Sequence, residues 1–157
     1  MRVAGVVGRP ADEVAARLGL VPLPLEGGRW AQTHLDAHGS AIAYLLAAGE
    51  RSHLHALPGL EVYFFHAGDP LDLLLLHPGG RGQRLLLGPD LDAGHQLQVV
   101  VPGGVWQGST TTGAWSLVGT AMAPAYRQDD YRHGRRDELR ARWPAHDRRI
   151  VELTEGP

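Results

Sequence analysis

The segment Gly49-x3-His53-x-His55-x5-Glu61-x6-Gly68, with Pro102-Gly103-Gly104-Val105-Trp106-Gln107 further along, decides how this chain of 157 residues is read. The histidines and the carboxylate lie in short runs of strand character, and Leu57-Pro58-Gly59 supplies a turn between them. Side chains two residues apart on a strand point to the same face. The spacing therefore predicts that His53 and His55 project together and that Glu61 joins them from the next strand. By the same parity Tyr63 and Phe65 share the face of Glu61, and Val105 shares that of Gln107. Two imidazoles and a carboxylate suit a divalent metal with open positions, Gln107 offering a carbonyl oxygen as a weak fourth ligand. The same residues suit a metal-free acid/base pocket. The residues leave both readings open.

Outward from this segment the pattern is all-β from Trp30 to Met122. Apolar runs at Ile42 to Leu46, Glu61 to Phe65, Leu71 to Leu76, Arg84 to Leu87, Gln96 to Val101 and Trp115 to Met122 are separated by Pro, Gly and Asp turn signals. Strands at this spacing predict a sandwich or barrel. A short helix is predicted from Ala11 to Leu20, with Asp12 and Glu13 in its first turn and Gly19 near its end. A second is predicted from Arg135 to Arg142, stopped by Pro144. The tail with Ile150, Val151 and Leu153 reads as an edge strand packing on the body or on a second subunit.

Composition narrows the function classes. A formal charge of −2 gives no reason to expect nucleic acid or an anionic membrane as partner. All 15 basic residues are arginine, which excludes Schiff-base lysine chemistry, and the absence of cysteine excludes disulfides and thiolate ligands. No stretch approaches the roughly 20 apolar residues of a membrane span. The start, Met1 to Pro10, has too short an apolar run for a signal peptide, so a cytoplasmic protein is expected. Gly27-Gly28 and Gly79-Gly80 lack the spacing of nucleotide-binding loops.

Several pieces taken in order resemble a known family. They are Pro22-Leu23-Pro24-Leu25-Glu26-Gly27-Gly28-Arg29-Trp30, Ile42 to Leu46, Ser52-His53-Leu54-His55, Glu61-Val62-Tyr63, His66 to Leu71, Val101 to Gln107, and Leu117-Val118-Gly119 leading to Ala123-Pro124-Ala125-Tyr126. The chain resembles the cupin superfamily, and more specifically the single-domain cupins called cupin-5, whose barrels are similar to those of deoxysugar epimerases. The match spans roughly residues 12 to 132. Gln107 stands where the general cupin block has a histidine, Ala56 where the family usually has an arginine, and Leu60-Glu61 where it usually has an Asp-Glu pair.

The resemblance implies one all-β jelly-roll domain over residues 1–157, with its barrel over about 30–132, a short N-terminal helix and a helical C-terminal appendage over 133–157. It also implies a homodimer. The expected metal set is His53, His55, Glu61 and Gln107, holding zinc, iron, nickel or manganese. The expected catalytic set is His55, Glu61 and Tyr63, with Tyr44 and Tyr126 as further candidate acids. Arg51, Tyr44, Phe65, Val105 and Gln107 are the expected substrate contacts; Arg29, Arg81 and Arg84 are further candidate anion-binding residues. The expected function is isomerase-like, epimerase-like or metal-assisted chemistry on a small carbonyl or sugar-like compound. A non-catalytic small-molecule-binding module and a structural dimerisation unit are the alternatives.

Overall fold

The computed structural model of the protein describes residues 5–156. The first four residues of the segment read above for a signal peptide lie outside that range, as does Pro157. Eleven strands follow in chain order: β1 (Val21–Pro22), β2 (Arg29–Leu35), β3 (Ser40–Ala47), β4 (Ser52–Ala56), β5 (Glu61–Gly68), β6 (Leu71–Leu76), β7 (Gly82–Leu87), β8 (Gln98–Val101), β9 (Trp106–Thr111), β10 (Trp115–Met122) and β11 (Arg132–His133). One sheet has the order β1-β2-β3-β10-β5-β8 and the other β11-β4-β9-β6-β7. Neighbouring strands run antiparallel. From β3 onward the chain alternates between the sheets except at the β6-β7 hairpin. This is the jelly-roll arrangement that the resemblance implies.

Alternation along each strand builds the interior. Tyr44, Leu46, Tyr63, Val99, Val101 and Val118 from the first sheet meet Leu71, Leu73, Leu75 and Leu87 from the second. The unbroken apolar run of β6 has a different cause. Leu71, Leu73 and Leu75 face the interior, while Leu74 and Leu76 lie under the C-terminal helices. A strand covered on both faces loses the polar half of its alternation.

Helix α1 (Ala11–Leu18) ends at Gly19, whose φ of 66° caps it in the left-handed conformation. Its Val14 and Ala15 pack on the outer face of the first sheet against Leu45, Leu117 and Trp115. The tail corrects the sequence reading. Asp147–Glu152 form helix α3, not an edge strand. Ile150 and Leu153, three residues apart, lie on one side and join Leu139 and Trp143 over Leu54, Leu74 and Leu76. Leu139 belongs to α2 (Arg136–Arg142), and Pro144 opens a short 3-10 turn between α2 and α3. The apolar residues of the tail satisfied either period, and the docking face available on the second sheet selected the helical one.

Candidate functional site

A cavity of about 90 Å³ opens between the two sheets at one end of the barrel. Its floor is set by strand register. Ser40, Met122 and Glu61 are paired across β3, β10 and β5, and Ile42, Thr120 and Tyr63 form the next such row inward. His55 of β4 faces them from the other sheet, and Tyr44 lies beside them. Glu61 is therefore not on a strand hydrogen-bonded to that of His55. The Leu57–Pro58–Gly59 turn carries the chain across the sandwich, so the two side chains confront each other over the cavity. Gly103 holds that turn in place: a Cβ there would sit 2.1 Å from the Pro58 carbonyl oxygen. The Gly104 amide donates to the Leu57 carbonyl at 2.8 Å.

The two histidines do not project together. Between Ser52 and His55 on β4 the partner strand β9 advances only from Ser109 to Gln107, so β4 carries one extra residue. Such a bulge resets the alternation. Ser52 and His55 consequently both face inward, where Ser52 Oγ donates to Glu26 Oε1 at 3.0 Å. His53 turns to the rim, its Nδ1 2.9 Å from the Leu25 carbonyl and its ring 5.7 Å from that of His133. His53 does not line the cavity.

His55 is 2% exposed. Its Nδ1 donates to the His53 carbonyl at 2.7 Å, which leaves the Nε2 lone pair toward the cavity. Nε2 lies 4.0 Å from Glu26 Oε2, beyond hydrogen-bond reach. The ring stacks on Tyr131 with centroids 5.3 Å apart.

Glu26 is the site residue that the sequence reading left without a role, although its Glu-Gly-Gly stretch carried part of the resemblance. A tight loop presents it: Gly27 and Gly28 have φ of 94° and 73°, and Leu25 is also left-handed at 65°. A Cβ on Gly27 would meet the Arg51 carbonyl oxygen at 2.3 Å, and one on Gly28 would meet the Tyr44 hydroxyl at 2.5 Å. Only glycine tolerates both the conformation and the contact. The Tyr44 hydroxyl donates to the Gly27 carbonyl at 2.6 Å, and the His53 amide donates to the Glu26 carbonyl at 2.7 Å. A glutamate followed by two glycines, ahead of a strand, was the available signal.

Gln107 lies behind the cavity wall. The Tyr63 hydroxyl donates to its Oε1 at 2.6 Å, and its Nε2 donates to Glu61 Oε2 at 2.9 Å. Burial raises the Glu61 carboxyl above its ordinary range. The neighbouring His55 and the hydrogen bonds with Thr120 and Gln107 oppose the shift, and Glu26 adds to it. Burial also holds the hydroxyls of Tyr44 and Tyr63 well above the usual phenol range, so both stay neutral donors.

A raised carboxyl means that the folded state binds the Glu61 proton more tightly than the unfolded chain does. The associated stability is complete below the ordinary value of 4.5 and is lost as pH rises through the folded value. Glu61→Gln, which still accepts from Gln107, is expected to remove that loss. Denaturant midpoints of the two proteins should diverge in favour of the variant as pH rises above the ordinary value of 4.5. A difference that does not change with pH would contradict the assignment.

The other expected substrate contacts are placed elsewhere. Arg51 Nη1 donates to the Glu152 carbonyl at 2.7 Å, tying β4 to α3. Arg84 forms a two-pronged pair with Asp72, and Arg29 binds Asp12 and Glu50. Phe65 and Val105 pack with the interior core and do not line the cavity. Tyr44, Tyr63, Tyr126, His55 and Glu61 do line it.

The expected metal set does not fit this geometry. His53 points to the rim, Gln107 has its carbonyl oxygen committed to Tyr63, and His55 is the single imidazole in the lining. Among the described residues no three His, Asp or Glu side chains are grouped to hold a metal ion.

The model of the family described as Cupin superfamily (DUF985) matches residues 12–134. The chain belongs to this cupin family. Among solved structures, a protein from Shewanella oneidensis is 31% identical to this cupin, with a TM-score of 0.88 over 95% of this chain and 99% of that one. A hypothetical protein from Leishmania major is 27% identical, with a TM-score of 0.87 over 94% and 100%. Oxalate decarboxylase from Bacillus subtilis shares the fold at 11% identity, with a TM-score of 0.58 over 87% of this cupin and 38% of its own chain. No curated protein matches the sequence. Among the described residues of this cupin no helix is long and apolar enough to cross a membrane.

Proposed function

We propose that this cupin binds a small carbonyl or sugar-like compound in the barrel cavity and catalyses an isomerase-like or epimerase-like proton transfer on it. One observation carries the reading: His55 Nε2, the ring nitrogen left free by the Nδ1 bond to a backbone carbonyl, faces the Glu61 carboxyl, whose hold on its proton burial strengthens. His55 takes the proton from a carbon next to the carbonyl. The electron pair of the broken C–H bond moves into the enol, and the carbonyl oxygen receives the Glu61 proton. The enol O–H proton then goes back to Glu61 as the carbon takes a proton, from His55 on the same face or from a tyrosine such as Tyr126 on the other, so the carbonyl re-forms and the centre is restored or inverted. Gln107, itself held by the Tyr63 hydroxyl, keeps Glu61 in place from behind the cavity wall.

Cavity size limits what enters. A space of about 90 Å³ is smaller than the roughly 150 Å³ cavity known to take benzene, so a fragment of a few heavy atoms fits inside. The remainder of a larger ligand would lie along Tyr126 and Gln128 at the edge of the lining. The donor orientations favour this acid/base chemistry over the version using zinc, iron, nickel or manganese, which needs His53 and Gln107 to turn inward. The homodimer implied by the resemblance has a candidate surface on the outer face of β5 and β8, where Phe64 and Val100 are exposed.

Solvent exchange tests the reading. Small aldoses, ketoses and hydroxy ketones incubated with the protein in deuterium oxide are expected to gain deuterium at the carbon beside the carbonyl. Exchange no faster than the protein-free blank across the panel would leave a binding module without proton-transfer chemistry.

A further inference from the structure

The cavity has an uneven set of charges. Two acidic side chains line it, Glu26 and Glu61, and among the described residues no arginine does. Arg29 is held by Asp12 and Glu50 and Arg51 by the Glu152 carbonyl, while Arg127 lines the neighbouring hollow outside this cavity. Aromatic side chains make much of the wall, with Trp30, Tyr44, Tyr63 and Tyr126 all lining it. Aromatic faces attract cations, the more so when water is excluded. An anion placed here would meet acceptors and like charge without a compensating cation.

Two acceptors are also left over. Glu26 Oε1 takes the Ser52 hydroxyl, but Oε2 points toward His55 Nε2 across a 4.0 Å gap that neither can close. The His55 ring, itself 2% exposed, has spent its only N–H on a backbone carbonyl. Both atoms belong to side chains that line the cavity, so a donor carried by the ligand can bridge them.

We propose that the cavity selects a cationic ligand, a small amine-bearing carbonyl compound of the α-amino aldehyde or α-amino ketone class, and that Glu26 is the residue that selects it. The ammonium group sits on Glu26 Oε2. The carbon that bears it then lies beside His55 Nε2, and the neighbouring carbonyl is turned toward Glu61. The positive charge next to the C–H bond makes that proton easier to remove, so the binding contact and the chemistry act on the same carbon. The inference rests on the reading of this cavity as the ligand site.

Three small probes of similar size and different charge test it: ethanolamine, ethylene glycol and glycolate, titrated while the His55 imidazole resonances are followed. Ethanolamine is expected to bind at least about tenfold more tightly than ethylene glycol, with glycolate weakest. In Glu26→Gln, which keeps a partner for Ser52, ethanolamine should fall to the level of ethylene glycol, with the melting temperature serving as the control for folding. Equal binding of the three probes, tightest binding of glycolate, or failure of ethanolamine to move the His55 resonances would each overturn the proposal on the unaltered protein alone. A preference that survives Glu26→Gln would overturn the role of Glu26. Charge preference without deuterium exchange would remove the proton-transfer reading and leave the ligand class standing; exchange with an anionic preference would do the reverse.

Discussion

Replacing His55 by glutamine is expected to slow deuterium exchange into a responsive carbonyl compound by roughly 100-fold to 10,000-fold, the range lost with a positioned general base. The expectation follows from the tautomer. The His53 carbonyl at 2.7 Å keeps the proton on Nδ1, so the base is Nε2, and a carboxamide at that place has no comparable basicity. The fold should persist, because the backbone of His55 still pairs with Gln107 and with His133. A melting temperature within a few degrees of the unaltered protein is the accompanying control. Exchange within about threefold of the original rate would assign the base elsewhere, with Glu26 next in line.

Trp143→Ala is expected to cost about 3–5 kcal/mol of stability. The indole is 2% exposed and fills the layer between the C-terminal helices and the second sheet. Its Nε1 donates to the His77 carbonyl at 3.0 Å, a bond that alanine cannot replace. For a chain of this length the loss corresponds to a fall in melting temperature of roughly 10 °C or more. The effect should reach the cavity, since this layer also covers Leu54 on the histidine strand, and the Leu54 amide donates to the Leu153 carbonyl at 2.9 Å. Thermal unfolding reads the first effect, and probe binding at temperatures below the transition reads the second. A shift under about 2 °C would show that the appendage is not part of the stabilising core.

Much of the barrel is legible because its strands obey period two and its turns are marked by proline and glycine. The runs Leu71 to Leu76 and Trp115 to Met122 are the strands observed, residue for residue. Parity also placed Glu61 and Tyr63 on the inner face correctly, because β5 is regular up to Phe65. The same rule failed at His53. A single extra residue in β4 turned that side chain to the rim, and nothing in Ser52-His53-Leu54-His55 announces a bulge. Arg51 failed for a related reason: it adjoins the histidine strand in sequence, yet its partner is the carbonyl of Glu152, 101 residues away.

By itself the sequence determined the all-β architecture, the turn positions, the terminal helix α1, and the shared inward face of Glu61 and Tyr63. These follow from local periodicity, which each segment carries without its neighbours. Only the tertiary structure decided that Glu61 faces His55 across the sandwich, that Gln107 serves Glu61 from behind, that the tail is a helix, and that Glu26 enters the cavity. Each of those depends on a bulge, a sheet crossing or a left-handed loop whose geometry is fixed by packing between segments far apart in the chain. Periodicity within one segment does not contain that information.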